Sequence, residues 1–149
     1  MLLTEFDANR QAIINPEDLN EPLEGFPKIA VSCFSRSTFQ RMLEMFPHEL
    51  IYETSMANVA IPIYKLVIAE QELALFNAPV GASACVAILE DIFALGADKL
   101  VLFGTCGVLD EDIKETSIII PSHALRDEGT SFHYVEASDE IAVNVGVLD

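Results

Sequence analysis

The sequence predicts one α/β domain in which helices cover both faces of a mixed sheet, a three-layer α/β/α arrangement. Three observations lead to this prediction. Short β-branched runs alternate with segments of helical period, which is typical of α/β chains. Two strand-like runs, 61–68 and 72–76, are separated only by a polar break, as in an antiparallel hairpin. With 149 residues, 51% of them apolar, the chain can form one hydrophobic core.

The N-terminal segment differs in composition from the rest of the chain. Residues 1–27 are polar and acidic and contain Pro16, Pro22 and Pro27. We expect them to form an extended arm, followed by a domain over residues 28–149.

The domain begins with an apolar, β-branched run over residues 29–34, which predicts a strand. Ser37 is positioned to cap a helix that continues to Phe46 and ends before Pro47. The pattern therefore predicts a strand, a tight loop and a helix in this segment.

The second half of the domain repeats this pattern. The breaker cluster 77–81 precedes a helix over residues 83–96, closed by its terminal glycine. The continuous apolar run 99–103 predicts a central strand buried on both faces, and 117–120 predicts a further strand.

The amino-acid composition argues against several kinds of partner and binding site. The 24 acidic and 8 basic residues give a net charge of −16, so we expect no nucleic-acid partner. The chain has neither the ~18-residue apolar run of a membrane helix nor the basic start of a secretory signal, which predicts a cytoplasmic protein without membrane contact.

The histidine spacing predicts no metal site. The three widely spaced cysteines, Cys33, Cys85 and Cys106, are expected to be buried free thiols.

Binding sites in α/β sheets collect beyond the carboxyl ends of the strands. The loops predicted there are 35–36, 77–83 and 104–107. In the last, two glycines around Thr105 allow backbone amides and a hydroxyl to converge on an anion. The alternative for this tetrapeptide is a turn that only reverses the chain.

Segments 77–81, 99–107, 118–121 and 126–134 together resemble the central part of the purine and uridine (nucleoside) phosphorylase family. The resemblance covers about residues 28–145. It implies phosphorolysis, in which inorganic phosphate, the co-substrate, releases the base of a nucleoside and leaves (deoxy)ribose 1-phosphate. It further implies a homo-oligomer that needs no cofactor and no metal.

The resemblance also assigns a phosphate site. Arg36 falls where the family has a phosphate-binding arginine, Thr105 on the hydroxyl position of its phosphate loop, and Gly81 on a glycine beside phosphate and sugar. The alternative for Arg36 is a solvated side chain at a helix start.

Further residues are expected at the nucleoside. Phe132 and Tyr134 could stack on a base, with ordinary packing as the alternative. His133 could line a sugar or base pocket, or be a hydrogen-bonded loop histidine. Arg126, beside Asp127, is interpreted as half of a solvated ion pair outside the chemistry. The substrate-binding residues predicted from the resemblance are Gly104, Cys106, Gly107, Phe132 and His133.

The chain departs from the family in ways that bear on phosphate. Residues 32–35 replace a common Gly-Asp-Pro, Leu102 stands where phosphorylases often carry a second phosphate arginine, and Ser55 where a neighbouring subunit lends a third. Nucleosidases of the same family use water and lack the arginine at the Leu102 position. A nucleoside hydrolase therefore remains the alternative.

Family members are considerably longer than this chain. Their catalytic and ribose-binding carboxylates are expected beyond Asp149, so the catalytic residues here are unknown and an inactive, truncated remnant is a third hypothesis. The resemblance implies a helix that starts near Glu140. A chain end at 145–149 would interrupt this helix and leave an apolar face uncovered, so we expect the chain to associate. No histidine precedes His48 to fill the family's N-terminal ribose contact.

Overall fold

A computed structural model describes residues 5–114, 116–144 and 146. They fall into two compact units: residues 11–105, and the described residues of 1–10 and 106–149. The expectations for residues 1–4 of the arm, and for the chain end at 145 and 147–149, lie outside the described residues. No helix of the described part is long and apolar enough to cross a membrane.

The first unit is built on a mixed five-stranded sheet, as predicted. Its strands are β1 (Ile29–Cys33), β2 (His48–Met56), β3 (Val59–Ile68), β4 (Gln71–Phe76) and β5 (Lys99–Phe103). Their order in the sheet is β2-β3-β4-β1-β5. Strand β1 runs parallel to both β4 and β5, whereas β3 is antiparallel to β2 and to β4. The predicted hairpin is therefore confirmed as β3 and β4.

Helices lie on opposite faces of this sheet, which confirms the three layers. Helix α3 (Ala82–Leu95) packs on one face and α2 (Arg36–Met45) on the other. Successive strand residues point to opposite faces, so Ala74 and Phe76 join the core under α3 and Leu75 joins the core under α2. Full burial of a side chain such as Phe76 stabilises the fold by roughly 1.5–3 kcal/mol.

The cap of α2 is Ser35, so the prediction of Ser37 is wrong. The Thr38 amide donates to Ser35 Oγ at 3.2 Å. Ser35 has extended backbone angles (φ −90°, ψ 116°), whereas Ser37 already lies inside the helix. A side-chain cap needs this extended geometry just before the first turn. At the end of α3, the predicted cap Gly96 is confirmed, with φ 129°.

Strand β2, which the sequence analysis did not predict, is an edge strand. Most of its side chains are exposed or half-buried, and only Thr54 is buried. One-sided burial at an edge leaves too few apolar positions for a clear strand pattern.

Strand β5 is not the buried central strand that the sequence predicted. Within the described part of the chain it pairs only with β1, and it lies at the other edge of the sheet. Val101 is 49% exposed, and Leu102 and Phe103 are each 39% exposed. An apolar run indicates a strand but does not determine how many neighbours cover it.

The strand predicted at 117–120 is absent from the described structure. Ile118 is 92% exposed and Ile120 is 73% exposed, and these residues lie in no strand or helix. The β-propensity of such a run takes effect only when a partner strand and a packed face are present.

The arm belongs to the first unit from residue 11 onward. It contains the short helix α1 (Pro16–Leu19). The Leu23 amide donates to the Leu95 carbonyl at 3.0 Å, and Asn20 Nδ2 donates to Asp91 Oδ1 at 2.8 Å. Thr54 Oγ1 donates to the second Asp91 oxygen at 2.6 Å. These bonds fasten the arm and β2 to α3.

The second unit contains a small antiparallel pair, β6 (His123–Leu125) and β7 (Glu140–Ala142), and a 3-10 helix over Thr130–His133. The helix expected near Glu140 is therefore wrong: these residues pair with β6 as a strand. Pairing with β6 satisfies the β7 backbone groups without a helix.

Candidate functional site

A cavity of about 690 Å³ lies in the first unit. Its polar lining comes from Ser35, Gly81, Gly104 and Thr105. The parallel strands β1, β4 and β5 end at one edge of the sheet, so the loops that follow them meet there. The apolar walls include Phe34, Val80, Cys85, Val86, Leu89 and Leu102.

The start of α3 borders this cavity. Gly81 is the N-cap, with φ 111° and ψ 135°, a backbone conformation that side-chain-bearing residues rarely adopt. Within the described residues no side chain caps this end of α3. The amides of a first helical turn point outward and carry the positive end of the helix dipole, so an anion is favoured here.

The loop after β5 approaches the cavity through Gly104. A Cβ atom at this position would lie 3.2 Å from Cδ2 of Phe34, so a glycine permits the close approach of the two loops. Thr105 follows on the exposed rim and supplies a hydroxyl. The structure thus brings together Gly81, Gly104 and Thr105 of the predicted site.

Arg36 is placed differently. It is exposed at the first position of α2 and is not among the residues that line the cavity. Its neighbour Ser35, which the sequence analysis considered only as part of a loop, lines the cavity instead. A hydroxyl residue directly before a helix was the signal that could have identified Ser35. The phosphate role of Arg36 stays a prediction.

The cavity is electrically neutral. None of its described lining residues carries a charge, and Leu102 stands where the resemblance expects an arginine in many phosphorylases. Burial raises the pKa of the Cys85 thiol, so this group stays protonated at neutral pH. Hydrogen-bond donors available to a ligand are therefore backbone amides and hydroxyls.

The second unit is organised around Arg126, which is only 6% exposed. Its guanidinium donates to Ser131 Oγ at 3.0 Å, Ser138 Oγ at 2.8 Å and the Val135 carbonyl at 3.2 Å, and also to the Glu136 carbonyl. The predicted solvated ion pair with Asp127 is therefore wrong. A buried cation must form its hydrogen bonds within the protein, and here carbonyl and hydroxyl oxygens accept them. A solvated ion pair would bond to water instead.

The remaining predicted site residues lie in this second unit. Phe132 is half-buried and carries the Arg126 guanidinium carbon 4.3 Å from its ring centroid, so one ring face is occupied. His133 is exposed at the end of the 3-10 helix. Cys106 and Gly107 are exposed as well. Their roles at a nucleoside stay predictions.

The cysteines are free, as predicted, but they are not all buried. Cys33 and Cys85 are buried, whereas Cys106 is exposed. Cys106 begins a segment that adds no residue to the two described apolar cores, so its apolar surroundings in sequence do not translate into burial.

The fold of this chain is similar to that of proteins of known structure. A uridine phosphorylase from Vibrio fischeri ES114 superposes with a TM-score of 0.72 at 18% identity, covering 93% of this chain and 56% of that one. Its complex with 6-hydroxy-1-naphthoic acid gives 0.67 at 18% identity, covering 80% and 51%. A futalosine hydrolase mutant of Helicobacter pylori strain 26695 gives 0.47 at 22% identity, covering 59% and 39%. No curated protein sequence matches the chain.

The chain thus spans about half the length of the uridine phosphorylase that it resembles in fold. The sequence profile of the phosphorylase superfamily matches residues 28–147, which is most of the chain. This protein therefore belongs to the phosphorylase superfamily.

Proposed function

We propose that this chain forms the phosphate-binding part of a nucleoside phosphorylase. In the reaction, inorganic phosphate attacks the anomeric carbon of a purine or pyrimidine nucleoside, and the base departs. One observation carries the proposal: the loops after β1, β4 and β5 bring Ser35, Gly81, Gly104 and Thr105 to a single cavity at the start of α3.

The donors of this cavity suit an oxyanion. Backbone amides at the start of α3 and along Gly104–Thr105 offer fixed hydrogen-bond donors, and the hydroxyls of Ser35 and Thr105 add adjustable ones. Arg36, next to Ser35 in sequence, supplies a bidentate fork when its long side chain turns toward the bound phosphate.

A nucleoside hydrolase is the second candidate. The neutral lining of the cavity and the presence of Leu102 in its wall favour this alternative, because a phosphate dianion without a cation beside it is held weakly. Water, by contrast, needs only hydroxyl and backbone partners. Both candidates belong to the same superfamily and release the base from a nucleoside.

Product analysis separates the two. The full chain is incubated with uridine, inosine or adenosine, with and without inorganic phosphate, and ribose 1-phosphate is quantified against free ribose. The proposal predicts ribose 1-phosphate only when phosphate is present. Free ribose formed at the same rate in both samples would instead establish a hydrolase, and no turnover in either sample would contradict phosphorolysis by this chain.

A matched pair of variants tests whether the cavity is responsible. Thr105→Val removes the rim hydroxyl with little change in shape, and we expect product formation to fall about 10-fold or more. Thr54→Val removes a hydroxyl from β2, where it bonds Asp91 away from the cavity lining, and we expect the rate to stay within about twofold. Equal losses in both variants would contradict the assignment.

The substrate and the assembly follow from the family as proposals. We infer a nucleoside as the second substrate and a homo-oligomer as the working form. Sedimentation of the purified chain at several concentrations tests the assembly: an oligomer is expected, and a monomer at all concentrations would contradict it.

A further inference from the structure

Two side-chain hydrogen bonds cross between the end of β1 and the loop that follows β4. The Ala78 amide donates to Ser32 Oγ at 2.8 Å. In the same direction, from the loop to β1, Asn77 Nδ2 donates to the Cys33 carbonyl. We call these two bonds the β1–β4 brace. Ser32 is 0% exposed and Ala78 is 3% exposed, so the brace lies in the interior.

The brace begins where the sheet ladder stops. The register of β1 with β4 ends at the pair Ser32 and Phe76. Beyond this pair β4 has ended and β1 continues only to Cys33, which pairs with β5, so backbone groups on the side of the loop after β4 need other partners. The side chains of Ser32 and Asn77 supply them, so Asn77 and Ala78 remain bonded to β1 beyond the end of the ladder.

Both ends of the brace lead directly to the cavity. Three residues after Ser32, Ser35 lines the cavity, and three residues after Ala78, Gly81 lines it at the N-cap of α3. Gly81 has no side chain with which to fix its own position. The distance between these two parts of the rim therefore depends on how firmly the loops are held just before them.

We propose that Ser32 and Asn77 are positioning residues that hold Ser35 and Gly81 at the separation an oxyanion requires. This inference rests on the proposed phosphate function of the cavity. Neither side chain lines the cavity, so both act through the loops that they fasten. A shift of a fraction of an ångström in one rim lengthens several hydrogen bonds to the ligand at once.

Ser32→Ala and Asn77→Ala each remove one bond of the brace, and Thr54→Val is the matched control. Thr54 also makes a partly buried side-chain hydrogen bond, to Asp91, but this bond joins β2 to α3 and involves no residue of the brace. All three variants are expected to lower the midpoint of urea unfolding by similar amounts, because each loses one such bond. Stability alone therefore does not distinguish a positioning role.

Two further readouts make the distinction. The affinity for inorganic phosphate, measured by calorimetry, is expected to fall about 10-fold in Ser32→Ala and Asn77→Ala and to change less than about twofold in Thr54→Val. Amide hydrogen exchange within residues 78–81, measured at Ala78, Val80 and Gly81 because Pro79 has no amide hydrogen, is expected to accelerate in the two brace variants only. Equal loss of phosphate affinity in all three variants, or unchanged exchange at 78–81 in the brace variants, would overturn the proposal.

A failure of the proposed function would give a different combination of results. If the wild-type chain binds no phosphate, the phosphate-binding proposal fails, while faster exchange at residues 78–81 in the brace variants still confirms that Ser32 and Asn77 hold this loop.

Discussion

The guanidinium of Arg126 lies 4.3 Å from the centroid of the Phe132 ring and is almost completely buried. The cation therefore rests on an aromatic face while its nitrogen atoms donate to oxygens of the surrounding loop. This contact joins the residue after β6 to the 3-10 helix that carries His133.

Arg126→Lys is expected to loosen the second unit. An ammonium group cannot reproduce the planar fork that bonds several oxygens and stacks on Phe132, so we expect a loss of about 1–3 kcal/mol in local stability. Amide hydrogen exchange over residues 122–143 measures it. Arg41→Lys, on the exposed side of α2, is the control and should leave exchange unchanged. Similar exchange in both variants would contradict a central role for Arg126.

Gly81→Ala is expected to destabilise the first unit. At φ 111° an alanine is strained even though its Cβ would meet no atom within 4 Å, and the cost is about 1–3 kcal/mol. Gly107→Ala is the matched control, since it has open space and no positive φ, and its change should stay within about 0.5 kcal/mol. The midpoints of urea unfolding compare the two variants. Equal midpoints would show that a side chain at position 81 causes no strain.

The three cysteines are expected to react at different rates. Burial raises the pKa of the Cys33 and Cys85 thiols, whereas Cys106 is exposed. At pH 7.5 iodoacetamide should modify Cys106 first, and mass spectrometry of digested protein identifies the site. Modification of Cys85 as fast as Cys106 would contradict its burial in the cavity wall. Cys106→Ser removes the fast phase and serves as the control.

The same raised pKa values make stability depend on alkaline pH. In the unfolded chain the Cys33 and Cys85 thiols ionise near pH ~8.5, but in the fold they ionise only at higher pH. The unfolded state then binds fewer protons, so the free energy of unfolding falls as pH rises above about 8.5. Urea midpoints of Cys85→Ala should show a shallower fall than those of the wild type, and identical slopes would contradict this linkage.

Glu128 is expected to titrate at lower pH than an ordinary glutamate. The Ser131 hydroxyl and backbone amide both donate to its carboxylate and lower its pKa. Because the folded pKa lies below the unfolded one, the stabilisation is present above pH ~4.3 and is lost as pH falls through the folded pKa. Carboxyl ¹³C NMR follows the titration. Ser131→Ala should raise the pKa, and an unchanged midpoint in this variant would rule out the hydroxyl as the main cause.

The sequence predicts the first unit well because its elements are decided by local patterns. The hairpin of β3 and β4, helix α3 and its glycine cap all follow from periodicity and from residues with restricted backbone preferences. The shift of the α2 cap from Ser37 to Ser35 is a matter of two residues between neighbouring hydroxyls, which pattern alone does not resolve.

The errors concern features that depend on neighbours in space. Whether β5 is central or at an edge, and whether 117–120 forms a strand, depend on partner strands that the local sequence does not specify. The buried Arg126 was missed for a similar reason. Adjacent opposite charges at Arg126 and Asp127 suggest a solvated pair, but the oxygens that bind the guanidinium come from residues 131–138.

At the candidate site, the meeting of Gly81, Gly104 and Thr105 at one cavity could be predicted because loops that follow parallel strands lie at the same edge of the sheet. The binding roles of these residues stay predictions. The brace made by Ser32 and Asn77 could not be predicted, because a buried serine and a loop asparagine are common in sequences and only their position across two strand ends gives them a role.

The proposed function depends on the binding of inorganic phosphate in the cavity at the start of α3. An NMR titration of the ¹⁵N-labelled chain with phosphate, against chloride at equal ionic strength, tests it most directly. We expect saturable shifts that are largest for the amides of Gly81, Ala82, Gly104 and Thr105. Shifts that do not saturate, or that are confined to residues outside the cavity lining, would contradict it.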